Sequence, residues 1–332
     1  MLPVASVQEP SPMSRVGPGV QGAVKPDFVD YGGSIVFAGF SGRRNIPRFP
    51  NSGNAIMSFS HQPQTNLFAY DMGTSFAAPR VARMAALLWH RLRKERNEEP
   101  HPNLVRAVLA TAASVPEPAR HVVELHKGEE RVVDVCGYGL IDETDALTSR
   151  GNRVTLCTQD NIGLDTFKIY EVPVPKEFRH AHGLKTLTVA LAFDPPVRRM
   201  RKDSYLGVTM QACLVRGKTP DEIAAAFRAV PADERKNAPR SISGRFRCDL
   251  KPGVMKLASS TLQRSVWRFR NKCDEYGDSY YLVVWAMRKW APSEIVQQNF
   301  AVAVTLETQH EPRLYNLIKL RVQQRLRMRV RV

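Results

Sequence analysis

One heptad decides how the first half of this chain folds: Gly73-Thr74-Ser75-Phe76-Ala77-Ala78-Pro79. From Ser75 to about residue 96 the sequence is rich in strong helix formers, and basic residues gather near the end, so it predicts one long helix. Thr74 is a suitable N-cap residue, and Pro79 comes early enough to do little harm to the helix. The hydroxyl of Ser75 would lie beside backbone N–H groups and the positive end of the helix dipole, which stabilise an oxyanion formed by attack on a carbonyl.

The heptad alone also fits a plain helix cap after a tight turn. Further segments on both sides of it favour a catalytic serine, and they follow one another in a fixed order. They are Pro3-Val4-Ala5-Ser6-Val7, then Arg15-Val16-Gly17-Pro18-Gly19 with Lys25-Pro26-Asp27 and Gly32-Gly33, then residues 104–113, then Gly137-Tyr138-Gly139-Leu140-Ile141-Asp142. With the heptad, these segments resemble the subtilisin-like serine proteases (subtilases, peptidase family S8) over roughly residues 1–150.

The resemblance implies a fold, an activity and a set of site residues. The fold is α/β, an incomplete subtilisin-like parallel-sheet domain in which residues 3–7 form a buried strand. The activity is that of a serine-type endopeptidase: Ser75 attacks the carbonyl of a polypeptide substrate, and Gly73, Thr74 and Pro79 support it. Arg83 departs from the family pattern, since the family usually has glycine there.

The residues that should assist Ser75 are not apparent. A serine nucleophile needs a base and a group that orients the base, yet the sequence has no Asp-Thr-Gly, Asp-Ser-Gly or His-Gly-Thr. In the family these motifs and the oxyanion-hole asparagine precede the strand that residues 3–7 resemble. His61 lies in a polar loop, Asp27 belongs to a turn motif, and Asp71 is expected to brace the loop before the helix.

We therefore expect this chain to be the C-terminal portion of a larger subtilase and to be inactive in isolation. Its expected partner is the upstream portion of the same protease domain, on the same or a separate chain. The alternative is a non-catalytic, decayed protease whose basic C-terminal domain binds an acidic partner or nucleic acid.

Charge and pattern change together near residue 150. Residues 1–150 hold 16 Lys and Arg against 15 Asp and Glu, a net of +1, and residues 151–332 hold 32 against 17, a net of +15. We predict a peptidase portion at 1–150 and a basic, mainly β, sandwich-like domain at 151–332. The predicted strands are 153–157, 166–174, 186–193, 205–215, 280–287, 299–308 and 314–332. One helical insertion is predicted at 221–230, followed by a mobile polar insertion at 233–247.

Basic residues alternate with apolar or aromatic ones at residues 321–332, 267–270 and 287–290. A solvated strand face, an acidic partner and nucleic acid all fit this pattern. Nucleic acid is the least favoured of the three for the tail at 321–332, and an unlikely partner at the aromatic stretches because no recognised nucleic-acid motif accompanies the charge.

The remaining composition excludes several classes. Five cysteines at wide spacings predict reduced thiols of a cytoplasmic protein, with neither a disulfide framework nor a metal site. No apolar run reaches the length of a membrane span, and no signal peptide is visible. No cofactor and no membrane partner are expected.

Overall fold

The protein is described from a computed structural model. The structure describes residues 2–41, 44–48, 53–96, 98–149, 151–200, 204–231, 234, 237–270, 276–309 and 313–319. The chain forms two compact units. The first comprises Met1–Gly19, Val24–His90 and Ala112–Glu143, and the second comprises Val20–Ala23, Arg91–Thr111 and Thr144–Val332. The domain division at residue 150 stays a prediction.

The first half of the chain mixes short strands with helices. The strands are β1 (Leu2–Pro3), β2 (Val36–Ser41), β3 (Arg44–Arg48), β4 (Ile56–Phe59), β5 (Phe68–Asp71), β6 (Ala113–Ser114) and β7 (Leu140–Ile141). The α-helices are α1 (Thr74–Arg96), α2 (Pro102–Ala112), α3 (Glu117–Lys127), α4 (Val132–Cys136) and α5 (Glu143–Leu147). The predicted helices around residues 75–96 and 104–113 are therefore confirmed as α1 and α2.

The expected parallel sheet is not found among the described residues of the first unit. Strands β1, β2 and β3 form an antiparallel sheet, and β4 with β5 and β6 with β7 form antiparallel pairs. A single parallel bridge joins Val29 to Leu140. Neighbouring parallel strands need a long crossover, usually a helix, whereas the described residues before α1 contain only a 3-10 turn at Val20–Gly22. The mixture of helices and sheets agrees with the predicted α/β class.

The expected buried strand at residues 3–7 is also wrong. Strand β1 ends at Pro3, and the chain then turns, with the N–H of Glu9 bonded to the carbonyl of Ser6 at 3.1 Å. The carboxylate of Glu9 accepts from the N–H of Ser6 at 2.7 Å, which closes the turn. Val7 is consequently 81% exposed.

Two glycines allow distant segments of the first unit to touch. Gly137 has φ +56°, and a Cβ there would lie 2.1 Å from the carbonyl oxygen of Pro26. Gly139 has φ +105°, and a Cβ there would lie 2.1 Å from the carbonyl carbon of Ser114. The Gly-x-Gly motif thus meets the Lys-Pro-Asp motif, whose Asp27 carbonyl accepts the N–H of Tyr138 at 2.9 Å.

The second unit contains two antiparallel sheets. Its strands are β8 (Arg153–Gly163), β9 (Phe167–Pro173), β10 (Lys185–Phe193), β11 (Val208–Val215), β12 (Leu262–Phe269), β13 (Ser279–Arg288) and β14 (Gln297–Thr308). One sheet has the order β12-β10-β14-β8 and the other β11-β13-β9. Leu191 and Val302 of the first sheet and Met210 and Val284 of the second belong to one buried hydrophobic cluster.

Most of the predicted strands in the second unit are confirmed, with some corrections. Strand β12 is an addition to the predicted strands, because the sequence pattern singles out only its basic and aromatic end at residues 267–270. Residues 314–319 are helical and residues 320–332 lie outside the described part, so the predicted strand at 314–332 is wrong where it can be compared. Leu314 and Ile318, buried four residues apart, fit helical spacing and not strand alternation.

The predicted helix at 221–230 is confirmed as α7 (Pro220–Arg228), but the structure adds α6 (Lys176–His180) and α8 (Ala238–Ser241). The described part of the segment predicted as a mobile insertion is packed. Ala238 and Ile242 are buried in a cluster with Phe227 and Trp285. Their spacing of four residues places both on one side of a helical turn.

We expect Gly139→Ala to destabilise the first unit by about 3 kcal/mol, because the new Cβ meets backbone that has no room to move. Gly128→Ala is the matched control, since Gly128 also has positive φ (+88°) but its Cβ would meet no atom closer than 3.9 Å. We expect about 1.5 kcal/mol there, from conformation alone. Urea unfolding measures the free energy of unfolding of both variants. Equal losses of stability would contradict the close approach of Gly139 to the backbone of Ser114 as the cause.

The N-terminus of α7 makes stability depend on pH. A hydrogen bond from Lys218, followed by one from the N–H of Thr219, lowers the pKa of Glu222 from 4.5 to about 2. Because the folded-state pKa is the lower one, this contribution is complete above pH 4.5 and is lost as the pH falls toward 2. A carboxyl NMR titration should show the low pKa and its return toward 4.5 in Lys218→Met. An unchanged pKa in that variant would contradict the assignment.

Candidate active site

Ser75 lies in the first turn of α1, and its side chain is exposed. The helix begins at Thr74, the predicted cap residue and one residue before the predicted start at Ser75, so Gly73 occupies the position before the helix. The carbonyl of Gly73 accepts the N–H of Phe76 at 3.0 Å. Pro79 has no N–H to donate to the carbonyl of Ser75 four residues earlier, which loosens the turn that carries the serine.

The loop before Ser75 is held by direct backbone contact. The N–H of Gly73 donates to the carbonyl of Gly32 at 2.8 Å, and a Cβ on Gly32 would lie 2.5 Å from the carbonyl oxygen of Gly73. Gly33 has φ +81°, and its Cβ would lie 2.9 Å from that of Met72. The carboxylate of Asp71 accepts the N–H of Met72 at 2.8 Å. Asp71 therefore braces this loop as predicted.

Two ion pairs fix the side of α1 that follows the serine. The guanidinium of Arg80 donates to the carboxylate of Asp30 at 2.7 Å and lies 5.7 Å from the ring centre of Tyr31. Arg83, which stands where the family usually has glycine, pairs with Glu143 at 3.1 Å. Sequence reasoning noticed Arg83 but missed its partner, because the two residues are 60 positions apart.

No described histidine or carboxylate is hydrogen-bonded to the hydroxyl of Ser75. His61 is exposed in the turn between β4 and β5. Asp27 is paired instead with Lys25 at 2.7 Å. In the described part of the chain, Ser75 thus lies on a fixed loop without the hydrogen-bonded base that a serine nucleophile requires.

The buried cysteines do not offer a competing nucleophile. Burial raises the pKa of Cys136 to about 11 and that of Cys213 to about 12. Since the thiolate is the nucleophile, both groups are unreactive at neutral pH. The cysteines that the structure describes are all free of disulfides.

The described residues also bear on metal binding and on membrane spanning. Within the described ranges, His, Cys, Asp and Glu do not come together in groups of three that suit a metal ion. The helices that the structure describes are all too short or too polar to cross a bilayer.

Solved structures give only weak likenesses. One is a periplasmic inhibitor of g-type lysozyme, PliG from Aeromonas hydrophila, with 11% identity, 46% of this chain and 86% of that chain covered, and a TM-score of 0.21. Another is turnip yellow mosaic virus, with 10% identity, 47% and 93% coverage, and a TM-score of 0.19. Neither carries an argument about this fold.

Sequence comparisons are more informative. An uncharacterised protein, y4bN of Sinorhizobium fredii (strain NGR234), is 40% identical over 321 residues, which is 96% of this chain and 72% of that protein. The family model for subtilases matches residues 2–139, which contain the serine heptad and every accompanying motif except the last three residues of the Gly-x-Gly segment. The chain therefore belongs to the subtilase family.

Proposed function

We propose that Ser75 is the nucleophile of a serine-type endopeptidase whose active site is completed by a further polypeptide segment. That segment carries the catalytic histidine and aspartate and belongs to the upstream portion of the same protease domain, on the same or a separate chain. The observation that carries the proposal is the exposed Ser75 in the first turn of α1, on a loop fixed by the contact between Gly32 and Gly73.

In the completed site each group has a defined role. The Oγ of Ser75 attacks the carbonyl carbon of a polypeptide substrate, while the histidine takes the hydroxyl proton and later gives it to the leaving amine. The N–H of Ser75, at the positive end of α1, donates one hydrogen bond to the oxyanion. The second donor, an asparagine in this family, comes from the same further segment. The chain alone is therefore proposed to be inactive.

The hairpin of β4 and β5 offers a surface that suits such a segment. Met57 pairs across the strands with Tyr70, and Phe59 pairs with Phe68, so all four side chains share one face. They are 58%, 43%, 77% and 49% exposed in that order. Contiguous exposed apolar side chains of this size mark an interaction surface. We propose that the segment bearing the histidine covers them.

Packing in the first unit supports the same proposal. The unit contains a cavity of about 420 Å³, lined in part by Ser11, Ser34 and Leu140. The hydroxyls of Ser11 and Ser34 are buried without a hydrogen-bond partner. Unpaired buried hydroxyls are costly, so a segment that supplied partners would stabilise this unit.

We infer in addition that residues 151–332 form a separate domain in which the two antiparallel sheets make a β-sandwich. The shared buried cluster of the two sheets supports that arrangement. The competing candidate, a non-catalytic protein, is favoured by one observation: no described base contacts Ser75. A reactivity test separates the two candidates.

We expect a fluorophosphonate probe to label Ser75 in the gene product expressed with its native upstream coding sequence. The 332-residue chain alone should react about 10⁴-fold more slowly, because loss of the base removes most of the activation of a serine nucleophile. Peptide mapping by mass spectrometry locates the label.

Ser75→Ala should abolish the labelling, and Ser58→Ala is the matched control because Ser58 is exposed on the neighbouring hairpin. Absence of label on Ser75 in the longer product would sink the endopeptidase proposal and favour the non-catalytic candidate. Equal labelling with and without the upstream sequence would instead show that the further segment is not required.

A further inference from the structure

Three cations of the second unit gather at one end of β11, and we call Arg216, Lys218 and Arg245 the cationic cluster. The N–H of Arg216 donates to the carbonyl of Phe246 at 2.8 Å, which joins the end of β11 to the 3-10 turn Gly244–Phe246. Val215 forms an isolated bridge with Arg247. The backbone thus fixes the position of the cluster.

Gly217 lets the chain pass between two aromatic rings. It has φ +63°, and a Cβ there would lie 2.9 Å from the ring of Tyr276 and 3.3 Å from that of Phe246. Its N–H donates to the carbonyl of Tyr276 at 3.2 Å. The residues on either side, Arg216 and Lys218, are consequently held against those rings.

The guanidinium of Arg216 is stacked on aromatic side chains. Its Cζ lies 3.9 Å from the ring centre of Tyr276 and 4.8 Å from that of Trp267. Its Nε and Nη2 donate to the carbonyl oxygen of Arg245 at 3.4 and 3.3 Å. These contacts orient the guanidinium without neutralising it, because rings and carbonyls carry no net charge.

The other cations of the cluster add to this charge. The ammonium of Lys218 and the guanidinium of the exposed Arg245 lie 4.8 and 5.7 Å from the ring centre of Phe246. Lys218 is paired with Glu222 at 2.7 Å. By contrast, no carboxylate of the described residues lies within ion-pair distance of Arg216, whose guanidinium donates to a carbonyl oxygen instead.

The aromatic side chains beneath the cluster decide which kind of anion fits. Trp267 is only 9% exposed and also stacks on Phe269, with ring centres 3.9 Å apart. The rings of Tyr276 and Phe246 carry cations of the cluster. A fixed guanidinium edge binds a carboxylate or a phosphate equally well. Single-stranded nucleic acid also needs open aromatic faces on which its bases stack, and the rings at the cluster are already covered by cations or by protein.

We propose that the cationic cluster is a docking site for an acidic polypeptide segment, whose Asp and Glu carboxylates bind Arg216 and Arg245. The net charge of +15 over residues 151–332, from 32 basic and 17 acidic residues, attracts such a partner from a distance. The proposal concerns the second unit only and does not depend on the chemistry of Ser75.

The test is binding of fluorescent poly-L-glutamate to the full chain, followed by fluorescence anisotropy at several salt concentrations. Arg216→Gln and Arg245→Gln should each weaken binding by about tenfold, because each removes a charged hydrogen-bond donor from the docking site. Arg199→Gln is the matched control: it removes the same charge from an exposed arginine outside the cluster and should change the affinity by less than about twofold.

Arg245 is exposed, so its variant keeps the test valid if Arg216→Gln fails to fold. A loss in Arg199→Gln as large as in Arg245→Gln would overturn the proposal, since binding would then depend on net charge alone. Tighter binding of an oligothymidylate of equal charge, lost in the same cluster variants, would also overturn it and would assign the surface to nucleic acid.

Discussion

The first unit depends on places where backbone meets backbone with no room for a Cβ atom. Gly137 touches the carbonyl of Pro26, Gly139 touches Ser114, and Gly32 touches Gly73. These contacts join segments that are far apart in the sequence, and a single added carbon would separate them. The position of the serine loop follows from the last contact, because Gly73 directly precedes α1. The position of Ser75 is therefore set by glycine contacts in the loop that precedes it.

This constraint explains what the sequence could predict. The motifs that identify the family are largely the glycines and their contact partners; their order along the chain indicated the family, and the contact between Gly-x-Gly and Lys-Pro-Asp comes from the structure. Helices α1, α2 and α7 were predictable because helix formation depends on local propensity and capping, as in the capping box of Thr219 and Glu222. For the same reason Asp71 was correctly expected to brace its own loop.

Features that depend on distant partners were not predictable from local pattern. Strand β1 pairs with β2, 34 residues away, in the antiparallel sense, and nothing in residues 2–7 specifies that choice. Residues 314–319 have the composition of a strand but the burial spacing of a helix. To predict the pair of Arg83 and Glu143 from the sequence, one would have to know where α5 begins. A single sequence shows which side chains are apolar or charged, and it does not show which surfaces they meet.

Helix α1 shows the same limit of prediction from a single sequence. Its first half is apolar on nearly every side, a composition typical of a helix surrounded by protein. In the structure Met84 and Leu88 are buried, whereas Ala82 and Ala86 are exposed and Leu87 is 37% exposed. These exposed apolar residues lie on α1, the helix that carries Ser75. The exposed apolar face of the β4–β5 hairpin comes directly before α1 in the sequence. Exposed apolar surface on either side of Ser75 along the chain agrees with the proposal that a further segment covers this region.

Arg216 of the second unit is held differently from several arginines of the first. In the first unit Arg80, Arg83 and Arg131 each pair with a carboxylate of the same unit. Each of these guanidinium groups thus has a compensating carboxylate within 3.1 Å. In the second unit Arg216 is held by aromatic rings and a carbonyl, which leave its charge intact. A guanidinium stabilised in this way keeps its fixed geometry and its field, so it can attract and orient a carboxylate without first breaking an internal ion pair. The way in which Arg216 is held, more than the number of basic residues, suits this surface to binding a carboxylate.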